Sequence, residues 1–340
     1  KKYLSCCLKS IASQTFADLE IIAVDDESTD GSHEILKAFQ LKEDRLRIIR
    51  KKCNGPSFTR GLGIQESRGE YIMFIDADDS IEPQTCEIAY NTAKQYNADV
   101  VFWSYISEYR DTKKAKEIFN EDILIFDKNE VKNKLHRRLF GLLDEELRFP
   151  EKADILSTVW AKLYKSCIIK DNKIGFIDNR LIGAYEDGMF NLHAFNFVNK
   201  AVYINKHLYR YRKISSNESF SNSYKKDLPE RWETLYKIME SYIKDNSLGR
   251  EYSEALNNRV CLSILGIGLQ ELNPNNPKNI FQRIKSVEYL LNSPRYHNAY
   301  KKLKMSYLPV PWKILMFFAK IRFAAGVYMV LWFAKKIREN

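Results

Sequence analysis

Short apolar segments alternate with amphipathic segments through the first hundred residues of this 340-residue chain. The apolar segments have the length and composition of buried strands and occupy residues 19–26, 46–51, 71–79 and 98–106. The segments between them repeat apolar residues at helical spacing and occupy residues 3–14, 33–41, 58–69 and 83–96. This alternation predicts an α/β fold in which a mostly parallel sheet carries helices on both faces.

Helical patterns dominate the later part of the chain. Residues 186–197 predict a helix that opens on Glu186 and Asp187, and residues 201–213 predict one or two strands. The pattern is helical from 228 to 291, apart from an interruption at "NPNNP". These changes predict three segments: an α/β segment (1–215), a helical segment (216–306) and a basic tail (307–340).

The net charge of +10 is concentrated at one end of the chain. Residues 301–340 hold nine lysines and arginines and one glutamate, which leaves the other residues almost balanced. A nucleic-acid-binding protein is expected to spread its basic face over the folded domain, so we expect no nucleic-acid partner. The six cysteines form no CxxC pair, which indicates reduced thiols and neither a zinc site nor a disulfide framework.

Three aspartates follow one predicted strand directly, in "YIMFIDADDS". Ligands of open parallel sheets bind beyond the carboxyl ends of the strands. Carboxylate oxygens suit Mg²⁺ or Mn²⁺, so Asp76, Asp78 and Asp79 are candidate metal ligands. The alternative is an acidic turn that caps the next helix. An EF-hand is excluded, because Ile81 stands where that loop needs glycine.

Two further acidic clusters stand at element ends. Asp26 ends a predicted strand, where its carboxylate could accept hydrogen bonds from a nucleobase or a ribose; helix capping by this loop is the alternative. Asp187 shares a helix face with the apolar Phe190, so its carboxylate is either a cap or an inward-facing functional group. Neither GxGxxG nor a P-loop is present, which argues against nucleotide binding through those loops.

Taken together, the order and spacing of the three acidic clusters resemble those of family 2 glycosyltransferases, which are inverting enzymes of the Rossmann-like GT-A fold. The resemblance covers roughly residues 3–213 and is carried by "SIASQTFADLEIIAVDDESTDGSHEIL", "GLGIQESRGEYIMFIDADDSIEP", "STVWAKLYKS", "YEDGMF" and "LYRYRK". Such proteins usually begin with a strand before the counterpart of "KYL", so we expect a chain truncated at its N-terminus that lacks the first strand. The chain also has Glu27 where the family usually has glycine, and Gly61 where it usually has asparagine.

The resemblance implies transfer of a sugar from a nucleotide-sugar, most simply a UDP-sugar, to an acceptor hydroxyl with inversion. Asp26, Arg60 and Asp76 would bind the nucleotide, and Asp187 would be the catalytic base. The DxDD aspartates would hold the divalent metal. Weaker candidates for the acceptor and diphosphate side are Glu186, Trp160, Lys162, and Arg212 with its neighbour Arg210. The alternatives are that Trp160 is core and that the arginines are solvated at the surface.

The acceptor implied by this bacterial surface-polysaccharide type of enzyme is a glycan or a lipid-linked glycan. The tail 307–340 is rich in aromatic residues, and its longest apolar run, 323–334, is too short to span a bilayer. Lys313, Lys320, Lys335 and Arg338 fall on one stripe at 100° per residue, which predicts an interfacial helix on an anionic membrane. We therefore expect a cytoplasmic enzyme, peripheral at the inner face of the membrane. A helix packed on the core of the protein is the alternative.

Two other functions remain open at this point. One is a non-catalytic scaffold that binds a sugar nucleotide within a glycan-assembly complex. The other is a nucleotidyltransferase on a related sheet, which would release pyrophosphate instead of a nucleoside diphosphate.

Overall fold

The computed structural model describes residues 1–53, 55–213 and 224–339. The helices are α1 (Leu4–Ala12), α2 (Ser32–Gln40), α3 (Pro56–Glu66), α4 (Thr85–Tyr96), α5 (Lys128–Glu130), α6 (Arg137–Phe140), α7 (Ser166–Asp171), α8 (Asn179–Ile182), α9 (Glu186–Phe195), α10 (Leu228–Asp245), α11 (Arg250–Leu262), α12 (Ile264–Glu271), α13 (Ile280–Asn292), α14 (Pro294–Lys302), α15 (Val310–Lys320) and α16 (Ala324–Glu339). A π-helix (Val131–His136) joins α5 to α6. The strands are β1 (Ile21–Asp25), β2 (Leu46–Arg50), β3 (Tyr71–Met73), β4 (Ser80–Ile81), β5 (Val100–Glu108), β6 (Lys113–Lys116), β7 (Ile123–Phe126), β8 (Lys162–Lys165) and β9 (Ala201–Arg212).

The chain forms two compact units. The first comprises the described residues of 1–136, 155–179 and 185–218, and the second comprises those of 137–154, 180–184 and 219–340. Two short segments that the sequence places in the α/β region, 137–154 and 180–184, therefore belong to the second unit.

The predicted alternation of strands and helices is confirmed in the first unit. Its helices α1 to α4 and strands β1, β2, β3 and β5 lie within a residue or two of most of the predicted bounds. The strand predicted over 71–79 is the main difference, because it ends at Met73 and the chain re-enters the sheet only at Ser80. The acidic residues 76–79 therefore lie in the connection between β3 and β4.

Strand pairing is more mixed than the alternation predicts. Strands β1 and β2 pair in parallel, with Ile21 opposite Leu46, as a two-stranded sheet. A seven-stranded sheet has the order β3-β8-β5-β9-β4, with β6 beside β5 and β7 beside β9. Within it, β5 and β9 are parallel and the other pairs are antiparallel. Strand β8 lies between β3 and β5 and runs antiparallel to both, so these two strands are not direct neighbours.

The core of the first unit lies around the central strand β5. Residues 100–103 of this strand are completely buried, as expected for a strand covered on both faces. Trp160 packs in the same cluster with Val202 and Tyr209 of β9.

The second unit is helical, as the sequence predicts. Helices α10 to α13 cover the periodic region, and the chain leaves helical structure between Glu271 and Ile280, at the predicted interruption. The tail forms two helices, α15 and α16, because Arg322 takes a left-handed conformation with φ of 59°. The predicted single basic stripe is therefore divided between two helices. None of the helices in the described ranges has the length and apolarity needed to cross a membrane.

Candidate active site

Asp79 fixes the acidic connection to strand β9. The side chain is almost fully buried, its Oδ2 accepts a 2.7 Å hydrogen bond from the Tyr209 hydroxyl, and its Oδ1 accepts one of 2.7 Å from the Arg212 amide. Burial raises the pKa of Asp79 to about 8. Both oxygens are thus already engaged in the fold, in contrast to the metal-ligand role predicted for Asp79.

Asp76 and Asp78 are the more accessible carboxylates of the cluster. Asp76 Oδ1 accepts a 2.8 Å bond from Arg60, and the side chain of Asp76 is 32% exposed. Burial, together with the nearby charge of Asp76, raises the pKa of Asp78. In the described part of the chain, no group of three or more His, Cys, Asp or Glu side chains could enclose a metal. Mg²⁺ is usually held by one or two carboxylates and substrate phosphates, so a site based on Asp76 and Asp78 fits such an ion.

Arg60 joins the acidic connection to the helix that carries Asp187. Its Nη2 lies 2.8 Å from Asp76 Oδ1 and its Nη1 lies 2.8 Å from Asp187 Oδ1. The guanidinium group also lies over the Phe176 ring, 5.6 Å from its centroid. Two carboxylates more than a hundred residues apart are therefore bonded to one arginine. The resemblance implies that Arg60 binds the nucleotide, but the sequence gives no sign of this bridge.

Asp187 lies in the first turn of α9, and its carboxylate does not cap that helix. Its Oδ1 accepts from Arg60, and its Oδ2 lies 3.4 Å from the amide nitrogen of Val159, on a different segment. Burial raises the pKa of Asp187 to about 6, although the charge of Arg60 opposes the shift. These contacts favour the functional role over the capping alternative. Glu186 is half-buried beside it.

A glycine allows the helix to begin at this point. Tyr185 has φ of 82°, and its ring folds over Gly188. A Cβ atom on Gly188 would lie 2.2 Å from that ring, so a larger residue would displace it.

Trp160 and Lys162 lie in the core of the first unit. The Trp160 ring stacks on those of Tyr209 and Tyr211, with centroid distances of 4.7 and 5.0 Å. Lys162 is almost completely buried, its amine donates to the Thr158 carbonyl, and burial lowers its pKa to about 7. The surroundings of Trp160 are those of a core residue, which is the alternative given above. Lys162 is predicted on the acceptor side, but its amine contacts an internal carbonyl instead.

The two strand-end aspartates of β1 have different surroundings. Asp26 accepts hydrogen bonds from the amides of Cys53 (2.6 Å) and Gly55 (2.8 Å), so it ties the end of β1 to the start of α3. Asp25 lies with Asp78 in the wall of a cavity of about 610 Å³. Its Oδ1 accepts a 2.9 Å bond from the Ser28 amide. Asp25, which the sequence pattern does not distinguish from Asp26, thus lines this cavity, whereas Asp26 is bonded to the backbone that precedes α3.

The two arginines of β9 also separate. Arg212 Nε donates a 3.0 Å bond to the Asp78 carbonyl, and its guanidinium group lies 4.6 Å from the centroid of the Tyr3 ring. Arg210 forms ion pairs with Glu82 (2.5 Å) and Glu108 (2.9 Å). Only Arg212 of this pair is therefore attached to the acidic connection.

Comparison with known proteins gives a consistent family. The model of glycosyl transferase family 2 matches residues 1–144. The putative glycosyltransferase EpsH of Bacillus subtilis is 28% identical over 327 residues, which is 96% of this chain and 90% of the relative. The glycosyltransferase GlyG of Streptococcus pneumoniae is 30% identical over 235 residues, which is 67% of this chain and 73% of the relative.

A solved structure has the same fold over almost the whole chain. The crystal structure of residues 1–349 of TarS from S. aureus, in complex with UDP-GlcNAc, matches with a TM-score of 0.66. The match covers 99% of this chain and 88% of that one at 18% identity. The predicted α/β fold of the GT-A type with a helical C-terminal region is thereby confirmed. This chain belongs to glycosyl transferase family 2 and is a glycosyltransferase.

Proposed function

We propose that the chain transfers a sugar from a UDP-sugar, with inversion, to a hydroxyl of a lipid-linked glycan in the synthesis of a cell-surface polysaccharide. The observation that carries this proposal is the Arg60 bridge, because it brings the candidate base Asp187 and the first aspartate of the DxDD cluster into one site. The relatives support the substrate classes. One is a poly(ribitol-phosphate) β-glucosyltransferase of Bacillus spizizenii, 30% identical over 196 residues, and TarS was solved with UDP-GlcNAc and with UDP.

Asp187 serves the acceptor. The attacking hydroxyl must lose a proton as it displaces the nucleoside diphosphate, and a single displacement inverts the anomeric carbon. A carboxylate whose pKa is about 6 is ionised at neutral pH and is still basic enough to take that proton. Arg60 and the Val159 amide hold the two carboxylate oxygens and fix the direction in which the base points.

The residues of the acidic connection serve the donor. Asp76 and Asp78 would hold Mg²⁺ or Mn²⁺, which would neutralise the negative charge that develops on the departing diphosphate. Arg60 carries positive charge in the same site, and Arg212 carries it beside the Asp78 carbonyl. Asp79 contributes indirectly, since its bonds to β9 hold the connection in place.

Turnover assays on a panel of nucleotide-sugars test the proposal. The full chain should release a nucleoside diphosphate from a UDP-sugar when a lipid-linked glycan acceptor is supplied, and the product should have the inverted anomeric configuration. Release of pyrophosphate would instead identify a nucleotidyltransferase. Asp187→Asn serves as the matched inactive protein in each assay.

We also propose that the tail places the enzyme on the cytoplasmic face of an anionic membrane. Helices α15 and α16 bury part of their surface in their own unit. The two helices and the turn between them also carry large apolar residues that are about 40 to 77% exposed: Val310, Ile314, Phe317, Ile321, Phe323, Met329, Trp332, Phe333 and Ile337. Contiguous exposed apolar patches on a folded protein can mark interaction surfaces. Lys313, Lys320 and Lys336 lie on the same two helices and supply the charge that anionic lipid attracts.

A further inference from the structure

A buried asparagine connects helix α9 to the loop that contacts Asp187. Asn191 is completely buried and lies one helical turn after Asp187. Its Nδ2 lies 2.8 Å from the Ser157 carbonyl oxygen and 3.0 Å from that of Thr158. One side-chain amide therefore joins the helix of the candidate base to the loop 157–160.

The orientation of this amide is fixed from its other end. The Tyr164 hydroxyl donates a 2.7 Å hydrogen bond to Asn191 Oδ1, which leaves the NH₂ group to face the loop carbonyls. The same Nδ2 lies 3.0 Å from the Asp187 carbonyl oxygen. The Lys162 amine also donates a hydrogen bond to the Thr158 carbonyl oxygen. Buried polar networks in which every member has a partner restrict the geometry of the groups they hold.

The consequence for Asp187 follows from the position of Val159. With the two preceding carbonyls fixed, the Val159 N–H is directed at Asp187 Oδ2, at an N···O distance of 3.4 Å. Arg60 holds the other oxygen at 2.8 Å. We infer that Asn191 is a positioning residue for the catalytic base, an inference that rests on the base role proposed for Asp187. Asn191 acts through the loop 157–160.

Asn191→Asp tests this inference with almost no change of volume. The variant keeps the acceptor for Tyr164 but loses both N–H donors to the loop. Because misplacing a reacting group can reduce the rate up to about a hundredfold, kcat should fall about 10- to 100-fold while KM for the donor stays unchanged. Tyr164→Phe, which leaves the asparagine in place and frees its orientation, should lower kcat in the same direction by less.

The matched control is Asn258→Asp in the second unit. Asn258 is also a buried asparagine, and its Nδ2 donates a 2.9 Å bond to the Leu142 carbonyl. A purely structural role predicts that both variants lose stability alike and that the folded fraction of each retains wild-type kcat. The inference requires the loss of kcat in the Asn191 variant alone.

An amide resonance gives a readout that needs no turnover. In protein labelled with ¹⁵N-valine, Asp187→Asn should shift the Val159 cross-peak, because the amide loses its charged acceptor. The same change should leave that peak in place when Asn191→Asp is already present. An equal shift in both backgrounds would overturn the inference.

The two hypotheses fail in different ways. If Asp187→Asn keeps wild-type turnover, the proposed base is wrong. If Asp187→Asn is inactive while Asn191→Asp and Tyr164→Phe stay within about threefold of wild type, the positioning role is wrong.

Discussion

Two adjacent aspartates show how far single residues can be interpreted from sequence. Asp78 and Asp79 are equivalent in the motif, and both were predicted to bind metal. Strand β9 separates them, because Tyr209 and the Arg212 amide take both oxygens of Asp79. Sequence reasoning located the clusters at the strand and helix ends but could not distinguish these residues, since the deciding partners lie some 130 positions away.

We expect Asp78→Ala and Asp79→Ala to give different defects. Asp78→Ala should abolish metal-dependent turnover and leave the melting temperature nearly unchanged, and chelation of the wild type should be reversed by Mg²⁺ or Mn²⁺. Asp79→Ala should lower the free energy of unfolding by about 1–3 kcal/mol, because two buried donors lose their acceptor. Full activity of the wild type in excess chelator would contradict the metal role.

Asp187→Asn should lower kcat about 10²–10⁴-fold with little change in donor affinity, because an amide cannot take the acceptor proton. In the wild type, kcat should rise as the pH increases through about 6, the pKa to which burial raises this carboxyl, since only its ionised form is a base. Steady-state rates between pH 5 and 8 check both points. A variant that melts early without a change in the kcat of its folded fraction would favour a structural role.

At the scale of elements, local pattern predicted the strands and helices better than their pairing or packing. The alternation of the first hundred residues and the interruption before α13 are visible in apolar spacing alone. The antiparallel entry of β8 depends on pairing with distant strands, and the break at Arg322 depends on one left-handed residue that apolar spacing does not reveal. For the tail, the alternative of a helix packed on the protein describes Leu315 and Leu331, which are buried, while other apolar residues of the tail are exposed.

Membrane binding should depend on the exposed side of α15 and α16. Phe317→Ser with Phe333→Ser should reduce co-sedimentation with anionic vesicles, because about half of each side chain is accessible for insertion. Leu41→Ser, which changes an even more exposed apolar residue in the first unit, is the matched control. Binding should weaken but persist at high salt, which screens only the charged part of the attraction. Undiminished sedimentation of the double variant would refute this surface.

Lys313→Glu with Lys320→Glu should weaken binding to anionic vesicles more than binding to neutral ones. Each basic side chain near such a surface contributes about 1 kcal/mol of attraction. Lys237→Glu, at an exposed site on α10, reverses a charge elsewhere in the second unit and should have little effect. If Lys237→Glu weakened vesicle binding as much as the double variant of Lys313 and Lys320 does, the loss would come from net charge and not from this surface.

At the scale of the whole molecule, the tail is part of a folded unit. A Cβ atom on Gly268 of α12 would lie 2.2 Å from Leu331 Cδ1 of α16, so these helices are in close contact. Leu331 is completely buried. Removal of 307–340 would therefore expose the core of the second unit, which makes deletion a less specific test of membrane binding than surface substitution.

Leu331→Ala should lower the free energy of unfolding by about 2–5 kcal/mol, the usual cost of a large cavity in a buried core. Chemical denaturation monitored by circular dichroism measures this loss. Ile337→Ala on the same helix is the control, because that side chain is 77% exposed and should change stability little. Equal stability of the two variants would show that α16 does not support its unit.

The exposed side of α16 also has an optical consequence. All five tryptophans lie in the described residues, and Trp332 is the one exposed among them, with the Lys336 amine 4.3 Å from its ring centroid. Transfer of its indole from water into the lipid interface should move part of the fluorescence emission to shorter wavelength, while the buried indoles of Trp103 and Trp160 keep their spectra. The unlabelled enzyme thus reports its own arrival at a vesicle, and Trp332→Phe should remove that signal.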